Sequence, residues 1–347
     1  MNGVEKVRWG IIGTGGIARQ FAKGLGASNT GALYAVGSRA QETAEAFGQD
    51  FDVPRRYGSY EGLLADGALD AVYISLPNHL HLEWTIKAAR AGKHVLCEKP
   101  LTVNAAEAEL ALTAAKEANV FLMEAFMYRC HPQTLKLIQL IRDGAIGEVR
   151  VIQAAFGYDL GDGEDAYRNI RLRNDACGGS IMDVGCYTVS MARLIAGAAM
   201  GLPGPAEPES LHGVAHIGAR GRVDEWAAAV ARFPSGAVAD LVCGARARVR
   251  SDVRIWGSLG GIEVPVPWNP TVGKIVLTRS GKDAEEFEVP AEAGCYALEA
   301  DAVARSLPGP EAPYPCMAWE DSLNNMKALD RWRACAGLVF DAEKAQG

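Results

Sequence analysis

Several things are missing from this sequence, and each absence closes off a class of protein. The eight cysteines, at 97, 130, 177, 186, 243, 295, 316 and 335, form no C-x-x-C pair, and a chain of 347 residues can bury a core without a disulfide framework. They are expected to be reduced, mostly buried small residues, serving neither a zinc site nor a set of bridges. No block of basic residues occurs and the formal net charge is −7, so the electrostatic footprint of a nucleic-acid binder is absent. No apolar run approaches the roughly 20 residues that span a bilayer. Met1–Lys6 is too short and polar for a secretory leader, and a cytoplasmic protein is the expectation. His79 and His81 stand two apart, off each other's face if helical, with no Cys or acidic partner at ligand spacing, so no metal is expected. There is no internal repeat and no low-complexity tract.

What is present is an apolar chain, 49% hydrophobic, long enough for about two domains. It is organised around Val7–Gln20. Val7–Ile12 reads as a short strand buried on both faces. Gly13-Thr14-Gly15-Gly16-Ile17-Ala18 follows it and fits G-x-G-x-x-G/A. In that pattern the first glycine makes the turn, the second admits a pyrophosphate, and the small last residue lets a helix pack on the strand. Ile17–Leu25 supplies the helix, whose unpaired N-terminal amides and dipole suit a diphosphate. A second strand, Leu33–Val36, ends in Gly37-Ser38-Arg39. A cofactor with a free ribose would usually meet an Asp or Glu here, and there is none. A hydroxyl beside a guanidinium suits a phosphate dianion, so NADP is expected in preference to NAD.

The alternation continues. Asp70–Leu76 is a buried strand stopped by Pro77-Asn78, His81–Ala91 a helix, and His94–Cys97 a strand ending in Glu98-Lys99-Pro100. Lys99 is thereby expected at a strand's carboxyl end, on the crevice that Gly13–Gly16 faces, as a cation near a reacting carbon. Asn104–Ala118 and Val120–Ala125 complete a doubly wound parallel α/β sheet over residues 1–127. From residue 128 to 347 the pattern changes to α+β. A helix, His131–Asp143, and a long strand, Val149–Tyr158, lead to a Gly- and Asp-rich loop, Asp159–Asp175, carrying Arg168, Asn169, Arg171 and Arg173. Gly178-Gly179 opens a helix on which Asp183 and Tyr187, four apart, share a face. Strands at Leu211–Ala219, Glu225–Phe233, Ala237–Gly244, Val253–Ser258 and Lys274–Thr278 predict a large, mainly antiparallel open sheet, and Tyr296–Leu307 and Trp319–Leu338 two closing helices. Trp226, Ala228, Val230 and Arg232 mark one side of a strand, and self-association into a homodimer or homotetramer is an economical way to cover such a face.

On these residues the chain resembles the Gfo/Idh/MocA family of NAD(P)-dependent oxidoreductases. The resemblance rests on Gly13–Ala18, Leu76-Pro77-Asn78 with His81, Glu98-Lys99-Pro100, Glu124-Ala-Phe-Met-Tyr-Arg129, and Gly178-Gly179 leading to Asp183. It implies that Lys99 lies beside nicotinamide and substrate, that Asp183 helps bind substrate, and that Gly13 to Ile17, Ser38, Arg39, Leu76, Pro77, Asn78, His81 and Glu98 serve the cofactor. Inositol dehydrogenase-like members carry His four residues after the aspartate. Tyr187 here is similar instead to the branch that contains dimeric dihydrodiol dehydrogenase, glucose-fructose oxidoreductase and bacterial xylose dehydrogenase. Asn169-Ile170-Arg171 resembles a loop that approaches the cofactor there. With only six residues before the first strand and no long N-terminal arm, an exchangeable cofactor is expected. The implied reaction is hydride transfer to or from a secondary alcohol or hemiacetal carbon of a sugar-like substrate. Tyr187 would exchange the proton, Lys99 would favour its phenolate and bind the same oxygen, and Asp183 would fix a neighbouring hydroxyl. A non-sugar diol as substrate, and a non-catalytic NADP-binding sensor, are the rival expectations.

Overall fold

The computed structural model describes residues 6–307 and 309–344; the leader reading of Met1–Lys6 therefore lies, but for Lys6, outside the described residues. The N-terminal part alternates strand and helix: β1 (Val7–Ile12), α1 (Gly16–Gly26), β2 (Gly31–Gly37), α2 (Gln41–Asp50), β3 (Arg55–Tyr57), α3 (Tyr60–Leu64), β4 (Ala71–Ile74), α4 (His81–Arg90), β5 (His94–Glu98), α5 (Ala105–Ala118) and β6 (Leu122–Ala125). All six strands run parallel in the order β3-β2-β1-β4-β5-β6. The direction of winding reverses between β1 and β4, which makes their carboxyl ends the natural ligand-binding edge. Every residue of β4 and β6 is buried, the mark of strands covered on both faces. Phe21 of α1 stacks on Tyr73 of β4 at 3.9 Å between ring centroids, with Trp9 of β1 edge-on to it at 5.3 Å, and this aromatic trio pins α1 to the sheet.

The second sheet follows α6 (Pro132–Arg142) and is built from β7 (Val149–Gly157), then, after one π-helical turn at Ile181–Gly185 and α7 (Cys186–Ala199), from β8 (Ser210–Ile217), β9 (Asp224–Arg232), β10 (Val238–Gly244), β11 (Val253–Gly257), β12 (Gly260–Val264), β13 (Gly273–Arg279) and β14 (Glu285–Val289). Its order is β14-β13-β12-β11-β7-β10-β9-β8. All pairings are antiparallel except β7 with β10. The expected α+β class with a mainly antiparallel sheet is what the chain adopts. Cys186–Ala198 of α7 is buried throughout, its small side chains letting the helix lie flat against β7 and β10. Two strands the periodicity did not announce, β12 and β14, are short, and one is glycine-rich while the other is acidic and at the sheet's edge.

The chain closes with α8 (Cys295–Ser306), α9 (Trp319–Ala336) and α10 (Asp341–Lys344). Among the described residues two compact units result: 6–102, 106–131, 292–307 and 309–322 form one, and 103–105, 132–291 and 323–344 the other. The single division at 127/128 expected from sequence thus needs correction, because the chain returns to its first unit. Long-range bonds explain the return. Arg129, buried, donates to Asp321 Oδ2 at 2.6 Å and to the Pro315 carbonyl at 2.5 Å, and Ser28 donates to Asp301. Removing either side of such a buried charged pair would leave the other unpaired at a cost of several kcal/mol, about 3–5 by the usual range.

Candidate active site

In the first unit the expected residues gather at the carboxyl edge of the parallel sheet. Gly13 has φ +105°, and a β-carbon there would stand 2.9 Å from Ser75 Oγ, so the turn after β1 needs glycine. Around Gly15 and Gly16, by contrast, nothing lies within 4 Å of where a side chain would begin. Thr14 and Ile17 are half-buried beside them. Gly15 caps α1 without a side-chain bond, and the first turn carries no acidic residue. An open glycine cradle beneath uncapped helix amides fits a dinucleotide pyrophosphate. At the end of β2, Ser38 is buried with its hydroxyl 2.5 Å from that of Thr43, while Arg39 is exposed. Burial pushes the Tyr60 phenol up, and the Arg39 guanidinium beside it pulls the other way. Thr43, in the first turn of α2, is a hydroxyl that sequence reading passed over, although its place four residues beyond Arg39 could have flagged it.

Leu76, Pro77 and Asn78 turn the chain after β4, and Glu98, Lys99 and Pro100 do so after β5. His81 connects the two turns. It is completely buried, and its ring nitrogens lie 2.8 Å from the Pro100 and Leu76 carbonyl oxygens. Burial lowers its pKa, with the charge of Lys99 acting in the same direction. The neutral ring donates its one N–H to one of these carbonyls while the other lies against the second nitrogen, so His81 shapes the site by packing between its turns. Glu98 is buried, accepts from the Tyr73 hydroxyl and takes the Lys99 amide on its other oxygen at 3.2 Å, so it orients the Lys99 backbone. Lys99 itself is half-buried.

In the second unit Asp183 sits in the π-helical turn ahead of α7, a wide turn often found at functional positions. Its carboxylate accepts from the Tyr158 hydroxyl and from Arg171 Nε at 3.1 Å, and its side chain is 12% exposed. Burial, then the Asp183 charge, push the Tyr158 phenol well up, which keeps it a donor. Tyr158 was missed from sequence because it lies 25 residues from Asp183 and only tertiary packing joins them. The loop Asp159–Asp175 is ordered by three short 3-10 turns. Asn169 caps one of them by accepting from the Arg171 amide at 3.1 Å, which helps aim Arg171 at Asp183. Tyr187, buried, is set among Phe156 and Trp268 with ring centroids at 5.3 and 5.8 Å. Among the described residues no group of His, Cys, Asp and Glu could hold a metal ion, and no helix is long and apolar enough to cross a membrane.

Residues 7–126 match an oxidoreductase family with an NAD-binding Rossmann fold, GFO/IDH/MocA, and residues 134–263 match the GFO/IDH/MocA C-terminal domain. This chain belongs to the Gfo/Idh/MocA oxidoreductase family. Its relatives in the family include a D-xylose 1-dehydrogenase (NADP(+)) of Haloferax volcanii, 36% identical over 93% of this chain and 95% of that protein. A trans-1,2-dihydrobenzene-1,2-diol dehydrogenase of Mus musculus is 30% identical over 97% and 99%. Among solved family structures, a 3-ketoreductase of Actinomadura kijaniata in complex with NADP and TDP-benzene superposes with a TM-score of 0.84 at 30% identity, covering 96% of this chain and 98% of that one. The family membership makes the protein an oxidoreductase.

Proposed function

We propose that this chain is an NADP-dependent dehydrogenase acting on a secondary alcohol or hemiacetal carbon of a sugar or sugar-like polyol in the cytoplasm. The observation that carries the reading is the conjunction, in one chain, of a glycine cradle open to a pyrophosphate and a half-buried lysine at the carboxyl end of β5. The nicotinamide, when bound, supplies the hydride acceptor or donor. Gly13, Thr14, Gly15, Gly16 and Ile17 would hold the pyrophosphate, Ser38 and Arg39 the 2′-phosphate, and Leu76, Pro77 and Asn78 the nicotinamide end, with His81 and Glu98 acting through the turns they fasten. Arg171, which pairs with Asp183, would approach the cofactor from its loop. Tyr187 takes or returns the hydroxyl proton, Lys99 binds the same oxygen and favours the phenolate, and Asp183 accepts a hydrogen bond from a neighbouring hydroxyl. The aromatic cluster of Phe156 and Trp268, stacked at 5.4 Å beside Tyr187, favours as a second reading a non-sugar ring such as a dihydrodiol.

The test mixes purified protein with NADP and a panel of aldoses, polyols and a trans-dihydrodiol, following the absorbance of reduced cofactor. Turnover is expected with at least one aldose. Lys99→Ala and Tyr187→Phe should each lower it by about a hundredfold or more, the scale for losing a positioned acid or base, with NADP binding retained. Near-normal turnover in both variants removes the assignment.

We further infer that the open face of the second sheet pairs with a second copy, in a homodimer or homotetramer. α7 covers the opposite face, while Val214 and Val230 remain 71% and 57% exposed. Val214 stands in register with Ala228 and Val242, and Val230 with Asp240, which accepts from Gln153 at 2.8 Å. An apolar centre with polar groups beside it suits an isologous contact.

A further inference from the structure

Asp224 opens β9 and is completely buried. Its Oδ2 accepts from the Ser180 hydroxyl and from the Ile181 amide, both at 2.6 Å. Its Oδ1 faces Gly179, where a β-carbon would collide with it, and has no hydrogen-bond partner among the described residues. Gly179, at φ +107°, is what makes room. The buried Cys243 thiol lies 3.4 Å from Ser180 Oγ and closes the pocket from β10. A neutral acceptor could take the same two donors without burying a charge, so the carboxyl is an expensive way to make these bonds. Its donors are the first residues of the stretch that carries Asp183 and, four further on, Tyr187.

We propose that Asp224 is a positioning residue for the reaction: through Ser180 and Ile181 it fixes the turn that bears Asp183 and the helix that bears Tyr187. The catalytic half of this inference rests on the proposed function; the structural half does not. The groups facing Asp224 are the Ser180 hydroxyl, the Ile181 amide, the Cys243 thiol with Cys186 behind it, and the charge of Arg333. Burial raises the carboxyl to about 7, against the hydrogen bonds of Ser180 and Ile181 and the pull of Arg333. A proton placed on Oδ1 leaves both bonds to Oδ2 intact, and Asn reproduces that neutral state.

The sign follows. A folded-state pKa above the free value of 3.8 means that the stability from this group is complete below that value and is lost as pH rises through about 7. Asp224→Asn cannot ionise, so its melting temperature should gain on wild type from pH 5 to pH 8. In Asp224→Ala, amide exchange across residues 180–187 should quicken by about tenfold while β11–β13 stay unchanged, as for a local loss of protection. Its kcat with the fastest substrate of the panel should fall by about tenfold or more with KM for NADP within about twofold, the pattern of misplaced reacting groups. Asp224→Asn should restore exchange and bring kcat to within about threefold of wild type. Should Asp224→Ala not fold, Ser180→Ala, which removes one of the two donors, carries the same comparison. Wild-type exchange and kcat in Asp224→Ala, or an Asn variant no better than Ala, overturns the proposal. If the wild type turns over no sugar or diol, the enzymatic reading fails alone, and the exchange and melting measurements still decide whether Asp224 holds the turn.

Discussion

Arg39 stands at the end of β2, where a carboxylate would have met a free ribose, and it is exposed beside a buried Ser38. A guanidinium–phosphate pair is charge-assisted and bidentate, whereas Arg39 has little to bind in a cofactor that lacks the 2′-phosphate. Arg39→Ala is therefore expected to raise KM for NADP by about tenfold or more while KM for NAD moves by less than about threefold. Steady-state kinetics with the two cofactors checks this, and equal changes in both would show that Arg39 does not read the phosphate. Single residues were legible in unequal measure. Gly13, Ser38, Arg39 and Lys99 could be named because strand ends and glycine turns are marked locally in the chain. His81 could be named too, but its place between two backbone carbonyls could not. Tyr158 and Asp224 gave no signal, since their partners, Asp183 and Ser180, lie 25 and 44 residues away.

Among the elements, the stretch from Asp159 to Tyr187 shows most directly how sequence becomes site. Gly178 and Gly179 donate their amides to the Arg173 and Arg171 carbonyls at 3.0 and 2.7 Å, so the loop that carries Arg171 is strapped to the turn that carries Asp183. A side chain at Gly178 would run into the Ile170 and Arg171 carbonyl oxygens, which as backbone cannot step aside. Gly178→Ala should lower the melting temperature by several degrees, in line with about 1–3 kcal/mol for overpacking. Gly163→Ala, in open space on the same loop, should leave it unchanged. Calorimetry of the two variants is the check, and a neutral Gly178→Ala would mean that the strap can yield. Sequence periodicity predicted a plain helix from this point. The π-helical turn at Ile181–Gly185 escaped it, because the pattern of apolar residues does not distinguish one wide turn from regular helix.

For the whole molecule, the apolar face of the second sheet is the feature with the largest consequence. If it pairs two copies, a charge at its centre must be buried without a partner, so Val230→Glu should convert the assembly to monomer while leaving the melting transition of the fold present. Light scattering on the eluted peak decides this, and a monomeric wild type would remove the inferred assembly. Sequence by itself determined the parallel sheet, the glycine cradle, the lysine after β5 and the alternating face of β9, because each is written within a few consecutive residues as a turn, a period or a strand end. Tertiary structure alone decided that residues 292–322 return to the first unit, that β7 runs parallel to β10 and that Asp183 is gripped by Tyr158 and Arg171. These are contacts between distant parts of the chain, set by which buried donors and carboxylates can find one another, and a pattern of neighbours carries no record of them.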